Sequence, residues 1–139
     1  MRVADPDWDD PLDGAHAAER GGRWNPPESF PVVYLCESVA VARANVVRLL
    51  AGQPYGPEDL RPGAGPVLVS ARVPEDRYLN AVTEAGCAAL GLPRSYPRDR
   101  RGRMVAKSRC QPLGLEAWDR GLPGVAALSA APGAPRGGE

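Results

Sequence analysis

The stretch GGRWNPPESFPVVYLCES, residues Gly21 to Ser38, sets a turn-rich polar block directly against an apolar run. Val32 to Cys36 is β-branched and aromatic, which predicts a buried strand. Alternation along that strand puts Val32, Tyr34 and Cys36 on one face. Pro26 and Pro27 have no N–H to give a ladder, so they belong outside the sheet and stiffen the approach to it. Ser38 is suited to cap a following helix, whose apolar face reads Val39, Ala42, Val46, Leu49 and Leu50 before Gly52 and Pro54 end it. Packing accounts for the strand and the helix. The block Gly21-Gly22-Arg23-Trp24-Asn25 needs a separate explanation.

Working outward, 139 residues fit one domain able to bury a core without disulfides or metal. The 17 basic and 17 acidic side chains cancel, so the overall charge calls for neither nucleic acid nor an anionic membrane. The N-terminus carries Asp5, Asp7, Asp9 and Asp10 rather than a basic start and an apolar core, unlike a signal peptide. No apolar run reaches the ~20 residues of a membrane span. A soluble, cytoplasmic protein is expected. Cys36, Cys87 and Cys110 are odd in number and far apart, as reduced thiols would be. With no C-x-x-C pair and His16 as the only histidine, no metal site is expected.

Residues 1–22 read as a short edge strand at most, then loop. One helical turn is expected at Pro57 to Leu60, and a second strand over Val67 to Val73. Asp76 is placed to cap a helix through Leu79, Val82 and Leu90, closed by Gly91 and Pro93. Residues 93–111 read as basic and irregular. A short helix over Leu115 to Arg120 and a last strand over Gly124 to Ser129 follow. Strands and helices mix without regular βαβ alternation, so the expected class is α+β, one domain over residues 1–131 with short flanking helices. The Pro/Gly/Ala-rich stretch 132–139 is expected to be a flexible tail.

Arg23 carries a planar fork suited to phosphate. Gly21 and Gly22 remove bulk beside it, Trp24 adds a flat apolar surface, and Asn25 supplies donor and acceptor. Two readings stay open: a nucleotide cradle, or a loop in which Trp24 plugs the core and Arg23 pairs with an early aspartate. Tyr34 either fills the core or stacks on a planar heterocycle. Asn45 is a poor interior helix residue, and it sits either at a solvated edge or in a pocket. Ser129 lacks the G-x-S-x-G elbow, and one histidine does not make a triad, so it reads as a hydrogen-bonding group. Arg98 to Arg109 is basic, but neutral net charge and few interleaved aromatics favour a solvated loop over direct nucleic-acid binding.

These residues carry a resemblance. Arg2-Val3-Ala4, Pro11-Leu12-Asp13-Gly14, Gly21 to Pro26, Val33-Tyr34-Leu35 with the Ala/Val-rich helix after it, and Gly124 to Ser129 together resemble the RES domain family. Its characterised members are toxins of bacterial toxin–antitoxin modules. The Gly-Arg-Trp-Asn-Pro block followed by the tyrosine run is the specific part. The resemblance implies an ADP-ribosyltransferase-like mixed sheet and consumption of NAD+ as substrate, with no other cofactor. It implies NAD+ glycohydrolase, NAD+ phosphorylase or ADP-ribosyltransferase activity, and a helix-turn-helix (Xre-type) antitoxin as partner. By position, Arg23, Tyr34, Asn45 and Ser129 would be the catalytic set, and Arg2, Trp24 and Asn25 would bind substrate. Asn45 falls where the family has glutamate. A neutral amide keeps a hydrogen bond to a ribose hydroxyl but supplies no negative charge to an oxocarbenium-like transition state. The alternative is therefore a weak or inactive nucleotide- or partner-binding RES-like domain. Glu37, at the junction before the helix, is a candidate replacement. Further sequence beyond Ser129 is also expected in the family.

Overall fold

A computed structural model describes residues 1–131 and 133; the expected tail, apart from Gly133, lies outside the described residues. Among the described residues the chain is α+β, with four α-helices and two two-stranded sheets. It divides into two compact units, each built from separated pieces of sequence. Met1–Leu12, Tyr34–Arg72 and Ala131 form the first, and Asp13–Val33 with Val73–Ala130 form the second.

In the first unit, β1 (Arg2–Ala4) pairs antiparallel with β2 (Val67–Val69), with Arg2 opposite Val69 and Ala4 opposite Val67. The helix Val39–Leu50 packs against β1, burying Val41 and Ala42 while Ala4 is buried from the strand. Ser38 caps this helix as its sequence indicates, accepting the Val41 N–H at 3.3 Å. The expected turn forms as a 3₁₀ segment, Pro57–Asp59, and the Asp59 carboxylate accepts the Gly56 N–H. Val39, Val47 and Leu49 remain exposed.

In the second unit, β3 (Leu79–Ala81) and β4 (Val125–Ala127) pair in parallel, with Leu79 opposite Val125. Three helices accompany them: α1 (Ala15–Arg20), α3 (Glu84–Ala89) and α4 (Lys107–Asp119), the helix of the first unit being α2. Trp24, Ala81, Cys87, Leu92, Tyr96, Val105 and Cys110 make the core, with Leu90, Leu113, Val125 and Leu128 packed against it. Burial pushes the Cys87 thiol up from its ordinary value, with Glu84 nearby adding to the shift.

Four local expectations fail. Val32 to Cys36 forms no regular strand. Cys36 is the one residue of that run that pairs like one, exchanging backbone bonds with Met1 in both directions. The helix expected from Asp76 through Leu90 is instead a strand and a short helix. Asn80 makes the break, its Oδ1 accepting the N–H groups of Val82 and Thr83, and Thr83 then caps α3 through Gly86 N. Residues 15–20 are helical rather than loop. Finally, α4 starts at Lys107 and runs through Pro112, eight residues before the expected Leu115. Burial of Cys110, Gly114 and Ala117 along one face of α4 outweighs the proline, whose missing N–H falls within the first two turns.

Candidate functional site

The sequence-selected residues fall into both units. Arg2, Tyr34 and Asn45 belong to the first; Arg23, Trp24, Asn25 and Ser129 belong to the second.

Strand β1 fixes Arg2. Its side chain is 8 % exposed, Nη1 donates to Pro11 O at 2.8 Å, and the guanidinium carbon stands 5.0 Å from the Trp8 ring centroid. Carbonyl and ring face together hold the guanidinium in place. Asn45 projects from α2 and its Nδ2 donates to Cys36 Sγ at 3.2 Å. Cys36 in turn is bonded to Met1 through both backbone groups. A continuous set of contacts therefore links the Asn45 amide, Cys36 and Met1, the residue before β1. Tyr34 lies two residues before Cys36 and is 37 % exposed, so the apolar run does not bury it fully. Glu37 is exposed, immediately before the cap of α2.

In the second unit the block beginning at Gly21 follows α1. Gly21 takes φ 71° where α1 stops, and a Cβ there would stand 2.7 Å from Pro27 N. The glycine is thus required by the backbone: it ends the helix and lets the chain fold back on its own prolines. Asn25 closes the loop. It has no exposed surface, its Nδ2 donates to Ala17 O at 2.6 Å, and its carbonyl accepts from Gly22 N at 2.9 Å. Gln111 on α4 adds Nε2 bonds to the Gly22 and Asn25 carbonyls, at 3.0 and 3.3 Å. Trp24 is a core residue, its ring 5.8 Å from that of Tyr96. Trp24 therefore plugs the core, as one of the two readings left open for this block has it. An ion pair between Arg23 and an early aspartate is not among the salt bridges of the described residues.

Arg23 itself is half-buried, and its Nη1 donates to Val105 O at 2.8 Å. Beside it lies the Tyr96 hydroxyl, which is buried and, among the described residues, makes no hydrogen bond of acceptable geometry. Burial pushes that phenol well above its ordinary value; the adjacent Cys110 thiol raises it further, and the Arg23 cation lowers it by less. Tyr96 is therefore a neutral group next to the arginine at any physiological pH. Ser129 is half-buried, two residues beyond β4 and next to Leu128 of the core periphery.

Sequence reasoning missed three residues of this neighbourhood: Tyr96, Gln111 and Gly114. Gly114 had a usable signal, a glycine within a helix. A Cβ there would fall 1.6 Å from Trp24 O, so α4 crosses the loop at backbone contact. Tyr96 and Gln111 had none, because they meet Arg23 and Asn25 only through the fold.

Arg2 and Arg23 are thus each fixed by a backbone carbonyl within their own unit of an α+β chain. A model of the RES domain matches residues 1–136, and the chain belongs to the RES domain family. Among curated proteins, the NAD(+) phosphorylase MbcT of Mycobacterium bovis is 31 % identical over 118 residues, covering 84 % of this chain and 59 % of its own. The protein of the same name from Mycobacterium tuberculosis matches to the same extent. The chain thus spans about three-fifths of the length of the curated relatives it matches. No solved structure gives a significant match. Among the described residues, no helix is long and apolar enough to cross a membrane.

Proposed function

We propose that this chain consumes NAD+ by breaking the bond between nicotinamide and ribose, with inorganic phosphate as the acceptor. Membership of the RES family over residues 1–136 carries this reading, and the name of the mycobacterial relatives favours phosphate over water or a protein side chain. In the reaction, nicotinamide leaves with the bonding pair, neutralising its ring nitrogen, while a phosphate oxygen bonds to the anomeric carbon. Positive charge grows on the ribose as the old bond stretches. Arg23 and Arg2 are the candidate phosphate-binding groups, since a planar guanidinium suits bidentate contact with phosphate. Tyr34 lies against the nicotinamide ribose, Asn45 binds a ribose hydroxyl, and Ser129 donates a further hydrogen bond. Trp24 and Asn25 act on substrate through Arg23, by holding its loop. The proposed role is the toxin of a toxin–antitoxin pair, with a helix-turn-helix antitoxin as partner, which co-expression and co-purification with the neighbouring gene product checks.

A second reading rests on Asn45. Its amide is bonded to the Cys36 thiol and brings no charge to the ribose. Loss of one electrostatic group of this kind costs ~10²–10³ in rate in comparable sites. On this reading the domain binds nucleotide or a partner without turning NAD+ over efficiently. Incubating the purified chain with NAD+, with and without phosphate, and measuring nicotinamide separates the two. Phosphate-dependent release that Arg23→Ala abolishes supports phosphorolysis. Absence of release from the folded protein, restored by Asn45→Glu, establishes the second reading, and absence in both proteins defeats the first.

A further inference from the structure

The basic stretch that the NAD+ reading leaves unused is ordered. Between residues 91 and 109 lie seven of the chain's 17 basic residues and one of its 17 acidic residues, Asp99. Asp99 organises a turn: its Oδ1 accepts the backbone N–H groups of Arg101 and Arg103, and its Oδ2 accepts Arg103 Nε at 3.1 Å. Arg98 Nη1 donates to Gly102 O, Gly102 takes φ 75°, and Arg98 bridges Met104 antiparallel. Arg109 reaches the same place from α4 and donates to Gly91 O at 2.6 Å. Beneath them is a hollow of about 390 Å³, lined by Gly91, Leu92, Pro93 and Asp99 together with Arg100, Arg101, Arg103 and Arg109. The side chains of Arg100 and Arg101 are exposed and make no hydrogen bond or ion pair with the described residues.

We propose that this hollow is a docking site for an acidic segment of a partner protein, held by bidentate Arg–carboxylate pairs. Two observations favour carboxylates of a short segment over nucleic acid. The stretch 91–109 carries six net positive charges in a neutral chain, so the remaining residues carry the opposite excess and repel a long polyanion. A short acidic segment feels the patch alone, because other charges are screened beyond ~8–10 Å. Tyr96, the aromatic nearest in sequence, is buried and offers no face for a base to stack on. The turn is held by bonds of its own, so docking needs little further ordering of the backbone.

The test measures binding of a fluorescent decapeptide of aspartate and glutamate to the full chain. A serine-substituted peptide, a 20-nucleotide single strand, a 20-base-pair duplex and inorganic phosphate serve as the other arms. The expected result is binding of the acidic peptide that Arg100→Glu with Arg101→Glu weakens at least tenfold, with an unchanged circular dichroism spectrum and melting temperature. Arg100→Ala with Arg101→Ala, which removes charge without reversing it, should weaken binding less. Tighter binding of either nucleic acid than of the peptide overturns the proposal. So does competition by phosphate at equal molar concentration, which would mark a small-anion site, or equal binding of the acidic and serine-substituted peptides. Since NAD+ turnover plays no part in the readout, the result is independent of the reading above.

Discussion

Two arginine-bearing loops of the second unit are built on opposite principles. The loop holding Arg23 depends on partners far along the chain: Val105 is 82 residues away, and Gln111 is 89 from Gly22 and 86 from Asn25. The turn from Arg98 to Arg103 is held by bonds reaching no further than four residues, most of them on Asp99. Long-range support fixes one guanidinium and consumes the polar groups around it. Local support orders a backbone while leaving Arg100 and Arg101 turned to solvent. The first arrangement suits a site whose geometry must be exact to a fraction of an ångström; the second suits a surface.

The sharpest way to break this contrast is Gly114→Ala. The added Cβ would land on Trp24 O, so the helix or the loop must move, and the cost should reach or exceed the top of the ~1–3 kcal/mol typical of overpacking. Urea unfolding measures it, and a loss of less than 1 kcal/mol would show that α4 and the loop are not in the described contact. Next in size, Asn25→Ala removes the bond to Ala17 O from a fully buried position, costing ~1–3 kcal/mol. On the proposed function it should lower nicotinamide release along with stability. Arg100→Ala, by contrast, should change stability by no more than ~0.5 kcal/mol.

Tyr96→Phe tests the buried hydroxyl. At neutral pH the variant should be as stable as the parent or up to ~1 kcal/mol more so, since it removes a buried polar group without a partner. Its clearer signature is alkaline. The folded phenol is held above its ordinary value of ~10 while the unfolded one is not, so stability is intact below pH ~10 and falls as pH rises beyond it. Denaturant midpoints measured across that range should lose this slope in the variant. The smallest effect belongs to Asp99. Backbone bonding from Arg103 is the main force holding its carboxyl below the ordinary carboxylate value. A depressed value means the carboxylate supports the turn above pH ~4, and that support fades as pH falls through the lowered value. The amide resonances of Arg101 and Arg103 should report this titration, and Asp99→Asn should abolish it with little change in melting temperature.

How much was legible in advance differs by residue. The α2 helix with its Ser38 cap and the turn at Pro57 followed from side-chain pattern, as did β2 and β4 in place though shorter than expected, Val67–Val69 within 67–73 and Val125–Ala127 within 124–129, because each is specified by neighbours within a few positions. Val32 to Cys36 had the composition of a strand, but a strand also needs an edge to pair with, and only Cys36 finds one. The region 76–90 had helical spacing, yet Asn80 offered the backbone local bonds that interrupt it. For the candidate site, residue types pointed to Arg23 and its block, and the family match agrees with the motif that selected them. That Trp24 would be core and Asn25 a buried brace was beyond the reach of pattern.

By itself the sequence determined the family, the α+β class and the residue types available for an anionic ligand, because those follow from motif, short-range periodicity and chemistry. Tertiary structure alone decided which polar groups are committed: Asn25 to Ala17, Arg23 to Val105, Asn45 to Cys36, and Arg100 and Arg101 to no described partner. For Arg23 the physical reason is distance along the chain. A hydrogen bond reaching across eighty residues leaves no trace in either neighbourhood until the fold brings its ends together.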